Sequence, residues 1–235
     1  RALLLKLFAK KKNFRSIIWV SDACLEDYVF KKDNEIQKKS VILYNIVNQE
    51  ELLKKAEIEE KKCFDLVFVG RLTDIKNPLR LIEITQKLKQ KKSDISLGVI
   101  GSGDLMEECI KKSKELDLNS NIQFLGFRSD FYGVLKSSKL FILTSRTEGT
   151  PMSILEAQTF GLPAIVPQIN GLEKVVKTGE TGFLYNSDEE AVDCILSLLN
   201  NSKQYNEMKD NVLAFSQTYN DKQKYLSELK GLYKK

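Results

Sequence analysis

The sequence of 235 residues contains no histidine, which removes Ser-His-Asp and Cys-His nucleophilic catalysis, and every His-ligated metal, in one step. Cysteine is sparse: Cys24, Cys63, Cys109 and Cys194 are scattered without C-x-x-C spacing, so they read as reduced thiols of a cytosolic protein rather than as a zinc site or a redox pair. With 4 Pro and 12 Gly there is too little of either for a low-complexity or fibrous architecture. Long hydrophobic runs are missing too, since stretches such as 3–5 and 95–100 fall far short of the roughly 20 apolar residues of a bilayer-spanning helix. What remains for chemistry is carboxylates, cations and backbone groups.

The composition is otherwise that of a globular protein, with 42% hydrophobic and 29% charged residues. At roughly 100–200 residues per domain, the length suits one large domain or one and a fraction, not two full α/β domains. Net charge is +5, and most of the surplus lies before residue 63. Residues 1–15 carry six cations and no acid beside Leu3, Leu4, Leu5, Leu7 and Phe8. That is the composition of a helix able to make peripheral contact with an anionic membrane surface, although a solvated helix face packed on a sheet is the preferred reading. Nucleic acid is not an expected partner, because the aromatics do not interleave with the cations.

From Phe64 onward the chain alternates short β-branched runs with helical patterns. Strands are predicted at 65–69, 95–100, 122–125, 140–143, 163–166 and 182–184, with helices at 78–90, 104–116, 131–137, 151–160, 171–177 and 187–199. This alternation predicts an α/β fold, a Rossmann-like parallel sheet with helices on both faces. Ligands of such sheets bind outside the carboxyl ends of the strands. Asn77 before Pro78 and Thr150 before Pro151 are expected to cap helices that start with proline, and Gly161 to stop one. Residues 1–62 fit the repeat less well. A basic helix, a strand at 16–20, a helix at 22–30, a strand at 41–44 and a charged connector at 48–62 make a poor independent core, and are expected to be the tail end of another α/β domain that begins earlier.

Three strand-to-helix loops carry the candidate site. In the first, Gly70 allows a tight turn and Arg71 and Lys76 place two cations beside a helix N-terminus, a setting for a diphosphate. In the second, Gly101-Ser102-Gly103 resembles half of a dinucleotide fingerprint but lacks the third glycine; it is either a plain turn or part of a nucleotide pocket. The third, Thr144 to Ala157, holds Glu148 on a loop, Gly149 and Thr150 after it, Met152 and Ser153 in a first helical turn, and Glu156 one turn further. Carboxylates accept hydrogen bonds from sugar hydroxyls and helix N-terminal amides hold phosphate oxygens, so the loop suits a sugar linked to a phosphate. It suits a glycosidase pair less well, because two acids facing one bond at about 5–10 Å are needed there.

Together the segments VGRLTDIKN (69–77), IGSGD (100–104), LGFRSD (125–130), SRTEGTPMSILEA (145–157), GLPAIV (161–166) and GETGFLY (179–185) resemble the donor half of the family 4 retaining glycosyltransferases, which have the GT-B fold. The resemblance covers residues 64 to about 200, in the right order. It implies a donor domain at 63–200 for a nucleoside diphosphate sugar, UDP-sugar above all, with residues 201–235 as C-terminal helices returning toward the first domain. It implies that Glu148 contacts hydroxyls of the transferred sugar and Glu156 the ribose. By the same resemblance Arg71 and Lys76 would neutralise the diphosphate as a leaving group, Phe127 and Arg128 would border the nucleobase, and Asn170 and Gly171 would lie toward the sugar. No metal and no cofactor are expected, because these cations and a helix dipole supply the positive charge. The chain departs from the family in having Gly149-Thr150-Pro151 where members often have Gly-Phe-Gly, which leaves phosphate binding to the amides of Met152 and Ser153.

The function expected is therefore the donor-binding portion of a retaining hexosyltransferase. It would act on a carbohydrate or lipid-linked acceptor in bacterial surface polysaccharide or glycoconjugate synthesis, in the cytoplasm or at the inner face of the cell membrane. Two other readings stay open: a non-catalytic GT-B accessory or chaperone protein that binds without transfer, and a dinucleotide-dependent oxidoreductase using Gly101 to Gly103.

Overall fold

The computed structural model describes residues 2–11, 13–57 and 63–234. The strands are β1 (Ile17–Trp19), β2 (Ser40–Ile42), β3 (Leu66–Val69), β4 (Leu97–Ile100), β5 (Ile122–Gly126), β6 (Leu140–Ile142), β7 (Ala164–Pro167) and β8 (Gly182–Tyr185). The helices are α1 (Ala2–Ala9), α2 (Asp22–Glu26), α3 (Asn34–Lys39), α4 (Gln49–Lys55), α5 (Pro78–Lys91), α6 (Met106–Glu115), α7 (Tyr132–Ser137), α8 (Met152–Thr159), α9 (Asp188–Asn200), α10 (Ser202–Tyr219) and α11 (Lys222–Lys234).

Strands β3 to β8 form one parallel sheet in the order β5-β4-β3-β6-β7-β8. Each central strand is a run of consecutive apolar residues, LVFV in β3, LGVI in β4 and LFI in β6, buried almost throughout. A strand covered by helices on both faces needs such a run rather than an alternating one. The chain builds outward from β3 to β5, then returns across the sheet to lay β6 against the other side of β3. The order therefore reverses between β3 and β6, and the loops leaving those two strands diverge around a crevice, the usual ligand position in an open α/β sheet.

Before β3, β1 and β2 pair in parallel, Ile17 with Ser40 to Trp19 with Ile42. Ala9, Ile17 and Ile36 make a small core of their own. Several sequence expectations need correction here. Helix α1 ends at Ala9 rather than running through residue 15, and Arg15 instead donates a hydrogen bond to the Tyr233 carbonyl. Leu3, Leu4, Leu7 and Phe8 stay exposed along it; Arg1 and Lys12 lie outside the described residues. Helix α3 was not expected, and the charged connector contains helix α4, whose Leu52 is buried in the main core. A short apolar face under many Lys and Glu gives little periodic signal. The end of the expected connector, 58–62, lies outside the described residues.

In the main sheet the expected helix at 171–177 is only a 3-10 turn, Leu172–Lys174. Val175 and Val176, just beyond the turn, are both buried. The proline caps also differ. Asn77 is left-handed (φ 48°) and caps nothing with its side chain, and Pro151 itself is the N-cap of α8. The Thr150 hydroxyl donates instead to the Val20 carbonyl. Gly161, with φ 76°, does follow α8 as its stop.

Candidate active site

The loops after β3, β4 and β6 meet at the crevice, and backbone contacts bring them together. Gly70 N–H donates to Ile100 O, Leu72 N–H to Ser102 O and Leu105 N–H to Leu72 O, all at 3.0 Å. Gly101 has φ 137°, and a β-carbon there would sit 1.9 Å from the Gly70 carbonyl oxygen; one at Gly103 would sit 2.4 Å from that of Leu72. These two glycines are thus required for the loops after β3 and β4 to touch. The ordinary turn reading already accounts for them, whatever else they line.

On the other side of β3, the loop after β6 is joined to the 3-10 turn Asp74–Lys76. The Thr144 hydroxyl donates to the carbonyls of both Lys76 and Asn77, at 3.0 and 2.9 Å, and Arg146 N–H donates to Ile75 O at 2.8 Å. This pinning brings Lys76 to Glu148: Nζ lies 2.5 Å from Oε1. The same oxygen accepts the Ser145 hydroxyl at 2.6 Å. The Glu148 side chain is only 8% exposed, so a charge-assisted bond and a second donor offset the cost of removing it from water. Arg71, by contrast, is exposed and has no ion pair among the described residues. One candidate cation is committed to Glu148 and the other is free.

Glu156 lies in α8 beside a different set of groups. The Tyr132 hydroxyl donates to its Oε1 at 3.4 Å, and Lys55 Nζ stands 5.7 Å from the centre of the Tyr132 ring. Burial raises the Glu156 pKa above the usual carboxylate value, against the opposing pull of Tyr132 and Lys55. Burial, then the nearby Glu156 charge, raises the Tyr132 phenol likewise.

The remaining predicted residues lie on the loops after β5, β6 and β7 and in the first turn of α8. Met152 is exposed and Ser153 half-buried in the first turn of α8, whose cap Pro151 makes no side-chain cap bond. Phe127 is 80% exposed after β5, and Arg128 is paired with Asp130 at 2.8 Å. Gly149 and Thr150 face the segment after β1: a β-carbon at Gly149 would lie 3.2 Å from Cys24 Sγ. Asn170 is exposed, and a β-carbon at Gly171 would lie 3.6 Å from the Gly149 carbonyl. A cavity of about 320 Å³ lined by Asn77, Arg80, Ser145 and Gln168 adjoins the site. Among the described residues no group of three or more Cys, Asp or Glu is placed to hold a metal. Sequence reasoning did not single out Thr144, Ser145, Tyr132 or Lys55. Each is an ordinary residue type whose part here comes from a partner distant in sequence.

A family model described as glycosyl transferases group 1 matches residues 48–214. The chain belongs to that family. It is 31% identical over 193 residues to an "uncharacterized glycosyltransferase" of Haemophilus influenzae, covering 81% of this chain and 54% of that protein. It is 34% identical over 157 residues to the UDP-Gal:alpha-D-GlcNAc-diphosphoundecaprenol alpha-1,3-galactosyltransferase of Escherichia coli, covering 65% and 40%. The chain thus spans about half the length of the relatives it matches. Among solved structures, S. aureus TarM in complex with UDP superposes with a TM-score of 0.84 at 18% identity, over 100% of this chain and 47% of that one. Anabaena HepE in complex with UDP gives a TM-score of 0.78 at 18% identity, over 93% and 63%. The architecture is that of the GT-B glycosyltransferases.

Proposed function

We propose that this chain is the donor-binding part of a retaining glycosyltransferase that moves a sugar from a UDP-sugar to an acceptor hydroxyl in bacterial polysaccharide or glycoconjugate synthesis. One observation carries the reading: Lys76, Ser145 and Glu148 converge at the point where the strand order reverses, and Arg71, on the same loop as Lys76, is exposed with no ion pair among the described residues. In this reading Glu148 accepts a hydroxyl of the transferred sugar and Glu156 the ribose hydroxyls. Cleavage at the anomeric carbon builds charge on the departing diphosphate, and Arg71, Lys76 and the Met152 and Ser153 amides offset it there, more strongly as the bond lengthens. Retention follows if the departing phosphate takes the proton of the incoming hydroxyl on the same face. These cations supply the charge that a divalent metal would bring, so the proposal needs neither metal nor cofactor.

The acceptor is proposed to be a carbohydrate or lipid-linked glycan, by analogy with the E. coli relative, whose name specifies a GlcNAc-diphosphoundecaprenol. A lipid-linked acceptor fits peripheral contact with the inner face of the membrane through α1, where Leu3, Leu4, Leu7 and Phe8 are exposed. No helix among the described residues is long and apolar enough to cross a membrane.

Calorimetric titration with UDP, GDP, ADP and uridine, without metal, tests the donor reading. UDP is expected to bind best. Arg71→Ala should weaken UDP about tenfold or more, the scale of one lost charge-assisted bond, and leave uridine unchanged. Equal loss for UDP and uridine would remove Arg71 from the diphosphate, and no nucleotide binding at all would remove the donor site.

A further inference from the structure

We infer that Ser145 is a positioning residue for Glu148, holding its carboxylate in place for the sugar when Lys76 turns to the diphosphate. This rests on the donor-site reading above and adds to it a residue and a division of labour. In the structure Lys76 and Ser145 both donate to Oε1 of Glu148, at 2.5 and 2.6 Å. The other oxygen, Oε2, has no protein donor among the described residues. One carboxylate oxygen is thus held by protein and the other is left for a ligand hydroxyl.

The two donors are not equivalent. Lys76 reaches Glu148 through a flexible four-carbon stem that can swing to a phosphate oxygen. Ser145 cannot follow it. Its side chain has one carbon, it is 2% exposed, and the residues on either side are tied to the turn after β3, Thr144 by its hydroxyl and Arg146 by its amide. A nucleoside diphosphate competes with Glu148 for Lys76, so its arrival leaves the buried acid with Ser145 alone. With that hydroxyl absent, the carboxylate would lose its orientation for the sugar hydroxyl. That costs the ligand that carries a sugar more than the one that carries none.

The test is the binding of UDP, UDP-glucose, UDP-galactose and UDP-N-acetylglucosamine to the wild-type chain, Ser145→Ala and Ser145→Thr. Ser145→Ala is expected to weaken the UDP-sugar that the wild type binds best by about tenfold, as for one lost hydrogen bond to a charged group. Free UDP should stay within about threefold, and Ser145→Thr, which keeps the hydroxyl, should recover most of the difference. A merely structural role would move UDP and UDP-sugar together. Equal losses, or no loss in Ser145→Ala, overturn the inference while the donor site stands. Failure of the wild type to bind UDP overturns the donor reading and this inference with it.

Discussion

Glu148 and Glu156 are the same residue type in opposite settings, and the difference is a matter of neighbours. Glu148 meets a cation and a hydroxyl within 2.6 Å, whereas Glu156 has a single long bond from Tyr132 and a burial that pushes its pKa up. A carboxyl whose folded pKa exceeds its unfolded one favours the native state while it is protonated and disfavours it once both states are ionised. Its cost is therefore absent below the ordinary carboxylate range, grows as pH rises through that range, and is complete above the raised value. Glu156→Gln should accordingly make the unliganded chain more stable than wild type at pH 7, with the gap closing as pH falls below about 4, the unfolded pKa of a glutamate. Urea midpoints of the two proteins at several pH values measure it; a gap that widens at low pH would contradict the burial effect. The same substitution should weaken UDP, because an amide cannot replace both acceptor oxygens for a ribose diol. Stability gained where binding is lost would mark Glu156 as held for function. The sequence located both acids through their motif, but not their settings, since Ser145 and Tyr132 carry no signal until the fold supplies their partners.

At the level of elements, the central strands were readable because a parallel strand buried on both faces must be an unbroken apolar run, and LVFV or LFI admits few other readings. The pieces that were not readable have an identifiable cause. Helix α4 has one buried leucine beneath charged residues, and the stretch after Gly171 forms only a 3-10 turn, Leu172–Lys174, with Val175 and Val176 buried after it. The glycine loop after β4 was legible as a turn, but its reason lies in the neighbouring loop. Gly101→Ala would place a β-carbon 1.9 Å from the Gly70 carbonyl at a φ of 137°, so the loops after β3 and β4 must part. A loss of about 2–3 kcal/mol or more is expected. Gly126→Ala is the control: φ is 67° and nothing lies within 4 Å of the new carbon, which leaves only the left-handed backbone cost of about 1–2 kcal/mol. Urea unfolding of both variants compares them directly. UDP binding should fall with Gly101→Ala alone, since Arg71 sits on the loop that moves; similar losses in both variants would mean that the close approach does not organise the site.

On the scale of the whole molecule, the part before β3 is tied to the six-stranded sheet and its helices by α4, whose Leu52 is buried in the main core, and, among its polar contacts, by two groups. One is beside the site, where Thr150 donates to Val20 O and Lys174 faces Asp22 at 3.9 Å. The other is where the chain crosses toward α4. There the Asn220 Oδ1 atom accepts the Val47 N–H at 2.9 Å, while its amide nitrogen donates to the Ser216 carbonyl and hydroxyl, and Gln49 donates to that hydroxyl at 2.7 Å. Asn220 and Ser216 are buried, 7% and 1% exposed, so water cannot readily replace a lost partner. A buried donor left unmade costs about 1–3 kcal/mol, and Asn220→Ala strands the Val47 amide while also freeing Ser216. A loss of that size is expected in urea unfolding. Asn220→Asp would keep the acceptor for Val47 but remove both donors and bury a charge, so it should not rescue. If the junction only fastens two ends of one cooperative unit, the denaturant slope will be unchanged in Asn220→Ala and the midpoint alone will fall. If it couples two parts that otherwise unfold separately, the transition will broaden or split, because each part would then respond to urea through its own buried area. The second outcome is expected: among the described residues β1, β2 and their helices share a small core, Ala9, Ile17 and Ile36 with the half-buried Leu5, Phe14, Trp19 and Tyr28 against it, too small to melt together with the six-stranded sheet once the clasp at Asn220 is cut.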